Sequence, residues 1–316
     1  MASNTTIKTG VVIMTYGSAT TAEHVGEYMR HIYKDKLPEG LVEDFAERYR
    51  LVGRSPLVEI TKQQAALLSH ELNGGSKQRY VVQAGMLHSH PFIEEAVRKC
   101  RQEGAERIIG IILSPQFSSF IMAGYGTALT TACRTQGYGE HDTTVAGPWP
   151  TEAHFIELLG KRVADALAKL QKQFSATVPV VFTTHSLPER VVTKDPQYLK
   201  QLQATAEAVV AKLGNPGLEW YRGYQSAGHT PEPWLKPDLV DILAELRDKH
   251  DNAVLIVPIQ FLADHLEILY DLDIAGSEQC REYGISYNRI ELPNVDPLFV
   301  QTLASVAREA ARNHVF

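Results

Sequence analysis

The sequence predicts an α/β protein of two similar doubly wound domains, each a parallel sheet flanked by helices, around a central cleft. Three observations predict it. Short β-branched apolar runs alternate with helix-patterned stretches of about ten residues or more, as strands and crossover helices do. The runs are apolar throughout rather than alternating, which is the composition of strands buried on both faces. Three segments of the first half also recur loosely, in the same order, in the second. VVIMTYGSA at Val11 parallels VVFTTHSLP at Val180, and the strand–loop–Pro–helix around His88 to Pro91 parallels that around His229 to Pro231. RIIGIILSPQF at Arg107 parallels AVLIVPIQF at Ala253. The duplication places Tyr16 and His185 at equivalent strand ends, on opposite walls of the cleft.

The elements follow in order. Lys8 to Tyr16 reads as a buried strand ending at Gly17-Ser18, with Thr20 and Thr21 as helix N-cap candidates. Ala22 to Ile32 has helical spacing, Leu41 to Leu51 forms a second helix pattern, and Gly53-Arg54-Ser55-Pro56 breaks it before a third from Glu59 to Leu72. Arg79 to Gly85 is a strand, and Pro91 suits the first turn of a helix from Phe92 to Glu103. A strand from Arg107 to Leu113 closes on Ser114-Pro115-Gln116-Phe117, helical sequence covers Gly124 to Arg134, and Thr144 to Trp149 is a strand. Pro148 and Pro150 bracket a boundary between domains 1–150 and 151–316, the C-terminal helix being able to pack back on the first.

An amphipathic helix from Thr151 to Gln173 opens the second half. Strands are expected from Val178 to His185, Leu218 to Tyr224, Ala253 to Pro258 and Ser286 to Ile290. Helices are expected over Tyr198 to Leu213, Asp238 to His250, from near Asp264, and from Pro297 to Arg312.

Bulk properties remove several classes of function. The 316 residues fit two domains of ordinary size, and 44% hydrophobic with 22% charged residues is ordinary for a soluble protein. The net charge of −6 and the lack of a Lys/Arg block argue against a nucleic-acid partner. The longest apolar runs are strand-sized, and MASNTTIKTG has no charged n-region before an apolar segment, so a cytoplasmic protein without membrane insertion is expected. Cys100, Cys133 and Cys280 are far apart, odd in number and without C-x-x-C spacing. That argues against a disulfide framework and an iron–sulfur cluster.

Two stretches concentrate chemistry. In VPVVFTTHSLPER, Val178 to Arg190, an apolar strand stops at His185, and open α/β sheets place ligands at the carboxyl ends of such strands. An imidazole there either titrates usefully near neutral pH or simply bonds a neighbouring backbone group. In ADHLEILYD, Ala263 to Asp271, Asp264, Glu267 and Asp271 would share one face of a regular helix whose remaining surface is apolar. Three adjacent carboxylates call for a cation or a mobile proton, the bland alternative being an N-cap followed by surface acids. The His with these acids makes a plausible divalent-metal site. No H-E-x-x-H, G-x-S-x-G, Walker loop or G-x-G-x-x-G is present.

Taken together, HSLPER, ADHLEILYD and YQSAGHTPEPWL, with TYG at the first strand end and GRSPL before the third helix, resemble the ferrochelatase family across nearly the whole chain. The resemblance implies a chelatase-like fold and insertion of ferrous iron into a porphyrin during heme synthesis. It looks most like the soluble bacterial branch that uses coproporphyrin III. It places the family's metal-binding His and Glu on His185 and Glu267 and its iron-ligating Tyr on Tyr16. Porphyrin contacts fall on Arg48, Tyr49, Ser55 and Tyr125, and Asp264 and Asp271 on an outer path for protons or metal. No tightly bound cofactor is implied, ferrous iron being a substrate. The expected state is a monomer that meets neighbouring heme-pathway enzymes only transiently.

Three positions depart from the pattern. The His-Ile-Arg of that branch reads His31-Ile32-Tyr33, with Lys34 as a stand-in for the arginine; Pro-His-Phe-Ser reads Pro115-Gln116-Phe117-Ser118; and a further glutamate is Ala275. A protoporphyrin IX substrate is the alternative within the enzyme class, and a non-catalytic tetrapyrrole or metal carrier the alternative outside it.

Overall fold

The computed structural model describes residues 7–74, 79–175, 177–228 and 231–313. His229 and Thr230, part of the second copy of the repeated loop, lie outside the described residues. The chain divides into two units, Met1–Leu113 with Ser119–Trp149 and Asn294–Phe316, and Ser114–Ser118 with Pro150–Pro293. Two stretches therefore cross the expected division at residue 150. Asn294–Phe316 groups with the first unit and Ser114–Ser118 with the second.

The first unit is built on β1 (Thr9–Thr15), β2 (Tyr80–Met86), β3 (Arg107–Ile112) and β4 (Thr143–Val145), all parallel in the order β2-β1-β3-β4. Every residue of β1 is buried, which is why its sequence does not alternate. Between the strands run α1 (Val25–Tyr33), α2 (Leu41–Val52), α3 (Leu57–Asn73), α4 (Ile93–Gln102) and α5 (Ser119–Thr135). α5 begins before the expected Gly124, because Met122 already belongs to its buried face with Tyr125 and Leu129. The C-terminal helix Pro297–Asn313 also belongs to this unit, burying Phe299, Leu303, Ala304 and Ala307.

The second unit contains α6 (Ala153–Phe174), β5 (Val180–His185), α7 (Glu189–Lys194), α8 (Gln197–Leu213), β6 (Trp220–Gln225), α9 (Leu239–Asp248) and β7 (Ala253–Pro258). It closes with a π-helical segment Ile268–Gly276, α10 (Ser277–Glu282) and β8 (Ser286–Arg289). Its sheet is parallel in the order β6-β5-β7-β8.

The two sheets thus share one topology. In each, the second strand lies on one side of the first and the third on the other, so the order reverses beside β1 and beside β5. The carboxyl end of a strand at such a reversal is where open α/β sheets hold ligands. Tyr16 directly follows β1, and His185 ends β5. The short α7 has too few residues to leave a periodic signal. Among the described residues, no helix is long and apolar enough to cross a membrane.

Candidate active site

In the second unit, the His185 side chain is set by two local bonds. Its Nδ1 lies 2.5 Å from the carbonyl oxygen of Ser186, an acceptor, so Nδ1 carries a proton and, in the neutral ring, Nε2 carries the lone pair. Ser186 is fully buried, its Oγ donating to Leu235 O at 3.2 Å and its N to Gln225 O at 2.8 Å, so this carbonyl is a fixed partner. A backbone acceptor on one ring nitrogen is the usual arrangement when the other nitrogen meets a metal.

Nε2 of His185 is 3.7 Å from Glu267 Oε2. A second imidazole stands at the same distance from the same oxygen: His265 Nε2, also 3.7 Å. His265 donates from Nδ1 to Ala263 O at 2.9 Å. Burial opposes its protonation, but Glu267, the Ala263 carbonyl and Asp264 outweigh that penalty and raise its pKa above the ordinary value. The Phe261 ring lies 4.9 Å from the His265 ring and 6.4 Å from that of His185, an apolar plate beside both.

Asp264, Glu267 and Asp271 do not form the expected row on a regular helix. Asp264 precedes the helix, with Oδ1 3.6 Å from Arg289 Nη2. Arg289 in turn makes two 2.7 Å bonds to Asp273. Asp271 accepts a hydrogen bond from Ser226 Oγ. The physical reason is the winding: Ile268–Gly276 closes i→i+5 bonds, so the spacing that aligns residues on an α-helix does not apply. Glu267 remains beside the imidazoles, whereas the two aspartates answer a guanidinium and a hydroxyl. Among the described residues, no three His, Cys, Asp or Glu side chains converge closely enough to hold a metal ion by themselves.

In the first unit, Tyr16 is 45% exposed at the end of β1. Its carbonyl accepts from His88 N at 3.0 Å, and the His88 ring lies 4.4 Å from its own. His88 Nδ1 is 3.1 Å from His31 Nδ1, so one of the two must be unprotonated at that nitrogen. Burial first, then the charges of His31 and Lys34, lower the His88 pKa to about 4. Gly17 has φ +90°, and a Cβ there would stand 2.5 Å from Ser89 Oγ, so the turn after Tyr16 requires glycine.

The other expected contacts lie in the same unit. Tyr49, buried, shares a 3.0 Å hydrogen bond with Ser18 Oγ, and Ser55 N donates to Thr20 O at 2.9 Å. These bonds tie the end of α2 and the start of α3 to the turn after β1. The buried Ser55 Oγ has no hydrogen-bond partner among the described residues. Arg48 lies 5.1 Å from the Phe45 ring centroid. Tyr125 is 5% exposed within the core of the unit, and burial together with the nearby Tyr16 phenol raises its pKa.

Two residues of the second unit escaped sequence reasoning. His265 stands inside the acidic stretch, but reading that stretch as a regular helix directed attention to the carboxylates. Gln260 accepts from His185 N at 3.0 Å, and nothing in composition or spacing distinguishes it from any strand-end glutamine.

Parallel sheets of matching order, with an imidazole and a carboxylate beside the end of one and an exposed phenol at the end of the other, define a chelatase-type α/β protein. Solved structures agree on the fold. SirB from Bacillus subtilis with Fe3+ superposes with a TM-score of 0.54 at 13% identity, over 97% of each chain. CbiX, the terminal enzyme of siroheme biosynthesis in denitrifying bacteria, does so with 0.53 at 11% identity, over 96% of this chain and 99% of that one.

The ferrochelatase family model matches residues 8–311. The coproporphyrin III ferrochelatase of Anoxybacillus flavithermus is 37% identical over 302 residues, 94% of each chain. That of Halalkalibacterium halodurans is 36% identical over 306 residues, 96% of this chain and 97% of its own. The ferrochelatase of Herpetosiphon aurantiacus is 35% identical over 301 residues, 95% of this chain and 98% of its own. The chain belongs to the ferrochelatase family. It is a metal chelatase of the lyase type, which inserts ferrous iron into a porphyrin in heme synthesis.

Proposed function

We propose that the porphyrin is coproporphyrin III and that His185 and Glu267 act at its metal-accepting face. The observation that carries this reading is the His185 ring, oriented by the Nδ1 bond to Ser186 O so that Nε2 stands 3.7 Å from Glu267 Oε2. One imidazole and one carboxylate hold ferrous iron loosely enough to release it to the pyrrole nitrogens. Insertion also frees two protons from the pyrroles, and the imidazoles and carboxylate gathered here are the groups placed to accept them. Asp264 and Asp271 form an outer path, and Tyr16 ligates the iron of the product.

In the first unit, the phenol of Tyr16, the Arg48 guanidinium, Tyr49, the buried Ser55 hydroxyl and Tyr125 contact the macrocycle and its carboxylates. The choice of coproporphyrin III is supported by the names of several relatives that match nearly the whole chain. Coproporphyrin III carries more carboxylates than protoporphyrin IX, and Lys34, whose charge reaches His88, adds a cation close to Tyr16. The chain works in the cytoplasm as a monomer, meets other enzymes of the pathway transiently, and needs no resident cofactor.

Anaerobic assays with ferrous iron test the reading. Coproporphyrin III should turn over faster than protoporphyrin IX, and the reverse order would assign the other porphyrin. His185→Ala should abolish insertion while porphyrin binding, followed by fluorescence, stays near that of the parent. Near-normal turnover in that variant would remove His185 from the chemistry.

A further inference from the structure

The parallel ladder between β5 and β7 stops one bond short of His185. Ile259 N donates to Thr183 O at 3.0 Å, and in that register the next bond would run from His185 N to Ile259 O. It does not form. Ile259 O accepts instead from Gln116 Nε2 at 3.1 Å, and the same amide group donates to Thr205 Oγ1 at 2.9 Å. The His185 N–H turns to a side chain, Gln260 Oε1, at 3.0 Å. Gln260 is itself buried and anchored, with Nε2 donating to the Tyr198 hydroxyl at 2.7 Å. Burial raises the pKa of the Tyr198 phenol, so that anchor stays protonated.

We infer that Gln260, braced by Tyr198, is a positioning residue that holds His185 against Glu267 by lending a side-chain carbonyl to the strand end. Gln260 lies near the start of the segment after β7 that leads through Phe261 and His265 to Glu267. Its bond to His185 N therefore joins the segment bearing the imidazole to the segment bearing the carboxylate. On the other side, Ser186 N is already held by Gln225 O of β6. Without Gln260 the strand end keeps its β6 anchor and loses its β7 anchor, and the imidazole is free to tilt away from Glu267. Gln116 takes part by occupying the Ile259 carbonyl, which gives this departure from the family pattern a structural role.

The inference rests on the proposed role of His185, and the experiment separates the two. Gln260→Met keeps the length and removes both hydrogen bonds. It should lower kcat/KM for ferrous iron roughly tenfold or more, the usual cost of removing a group that orients a metal ligand. The KM for porphyrin should stay within about twofold, since only iron-side binding is disturbed. Tyr198→Phe should show a smaller loss of the same kind, and the double variant should be no worse than Gln260→Met, because Tyr198 acts through Gln260.

Turnover by folded Gln260→Met within about twofold of the parent would overturn the inference, as would equal losses for both substrates with a lowered melting temperature. If Gln260→Met does not fold, Tyr198→Phe decides: an iron-selective loss supports the inference and unchanged kinetics overturns it. An inactive His185→Ala beside a normal Gln260→Met overturns this inference alone. An active His185→Ala removes the role of His185, and this inference with it.

Discussion

The His88 imidazole touches both Tyr16 and His31, and its low pKa of about 4 makes it a reporter of acid sensitivity in the first unit. An unfolded histidine titrates near 6.5. Between these two values the unfolded chain binds a proton that the folded chain refuses, so unfolding is favoured as pH falls. The stability contributed by neutral His88 is complete above pH 6.5 and is lost on descent towards pH 4. Melting temperatures measured across that window should fall less in His88→Gln than in the parent, and equal falls would contradict the assignment. Tyr16 offers a second check. Tyr16→Phe removes the phenol oxygen without changing the ring, so the visible spectrum of bound product should change more than the insertion rate. An unchanged spectrum would take Tyr16 off the iron.

Among the elements, β2 and α4 approach closely at Gly85. A Cβ built there stands 2.9 Å from Ile93 Cα and 3.2 Å from both Ala96 Cβ and Val12 Cγ1. The nearest atom is backbone and cannot step aside as a flexible side chain would. Gly85→Ala should therefore destabilise the protein by about 1–3 kcal/mol, the usual cost of overpacking, read from the urea midpoint. The strands were legible in the sequence because β1, β5 and β7 are buried on both faces and show it as unbroken apolar runs. The stretch after β7 was legible in composition and misread in geometry. Periodicity arguments assume a regular helix, whereas Ile268–Gly276 winds more widely and Asp264 lies outside the helix. Gln260 was not legible at all, because its partner is a backbone N–H that any residue at position 185 would present.

For the whole molecule, the loose internal matches anticipated the shared order of the two sheets, and that order places Tyr16 and His185 at equivalent strand ends. His185 and the acids from Asp264 to Asp271, far apart in the chain, were readable as a metal site from their chemistry, and the family motifs singled out Glu267 among them. His265 sits within one of those motifs, and its role beside Glu267 emerged from distance alone.

The C-terminal helix Pro297–Asn313 has one more consequence. Its Phe299 ring lies 6.3 Å from that of Trp149, Gln64 Nε2 donates to Asn294 O at 2.7 Å, and Arg308 Nη2 donates to Glu71 O at 3.2 Å. The first unit is thus completed by a segment that follows the entire second unit in the chain. Its four strands have all emerged by Val145, yet the apolar surface that receives Phe299 and Leu303 stays bare until the entire second unit has been translated. Domains made first commonly fold first during synthesis. In this chain the unit begun first is completed only after the other has been made, and the nascent protein exposes that surface throughout synthesis of the second unit.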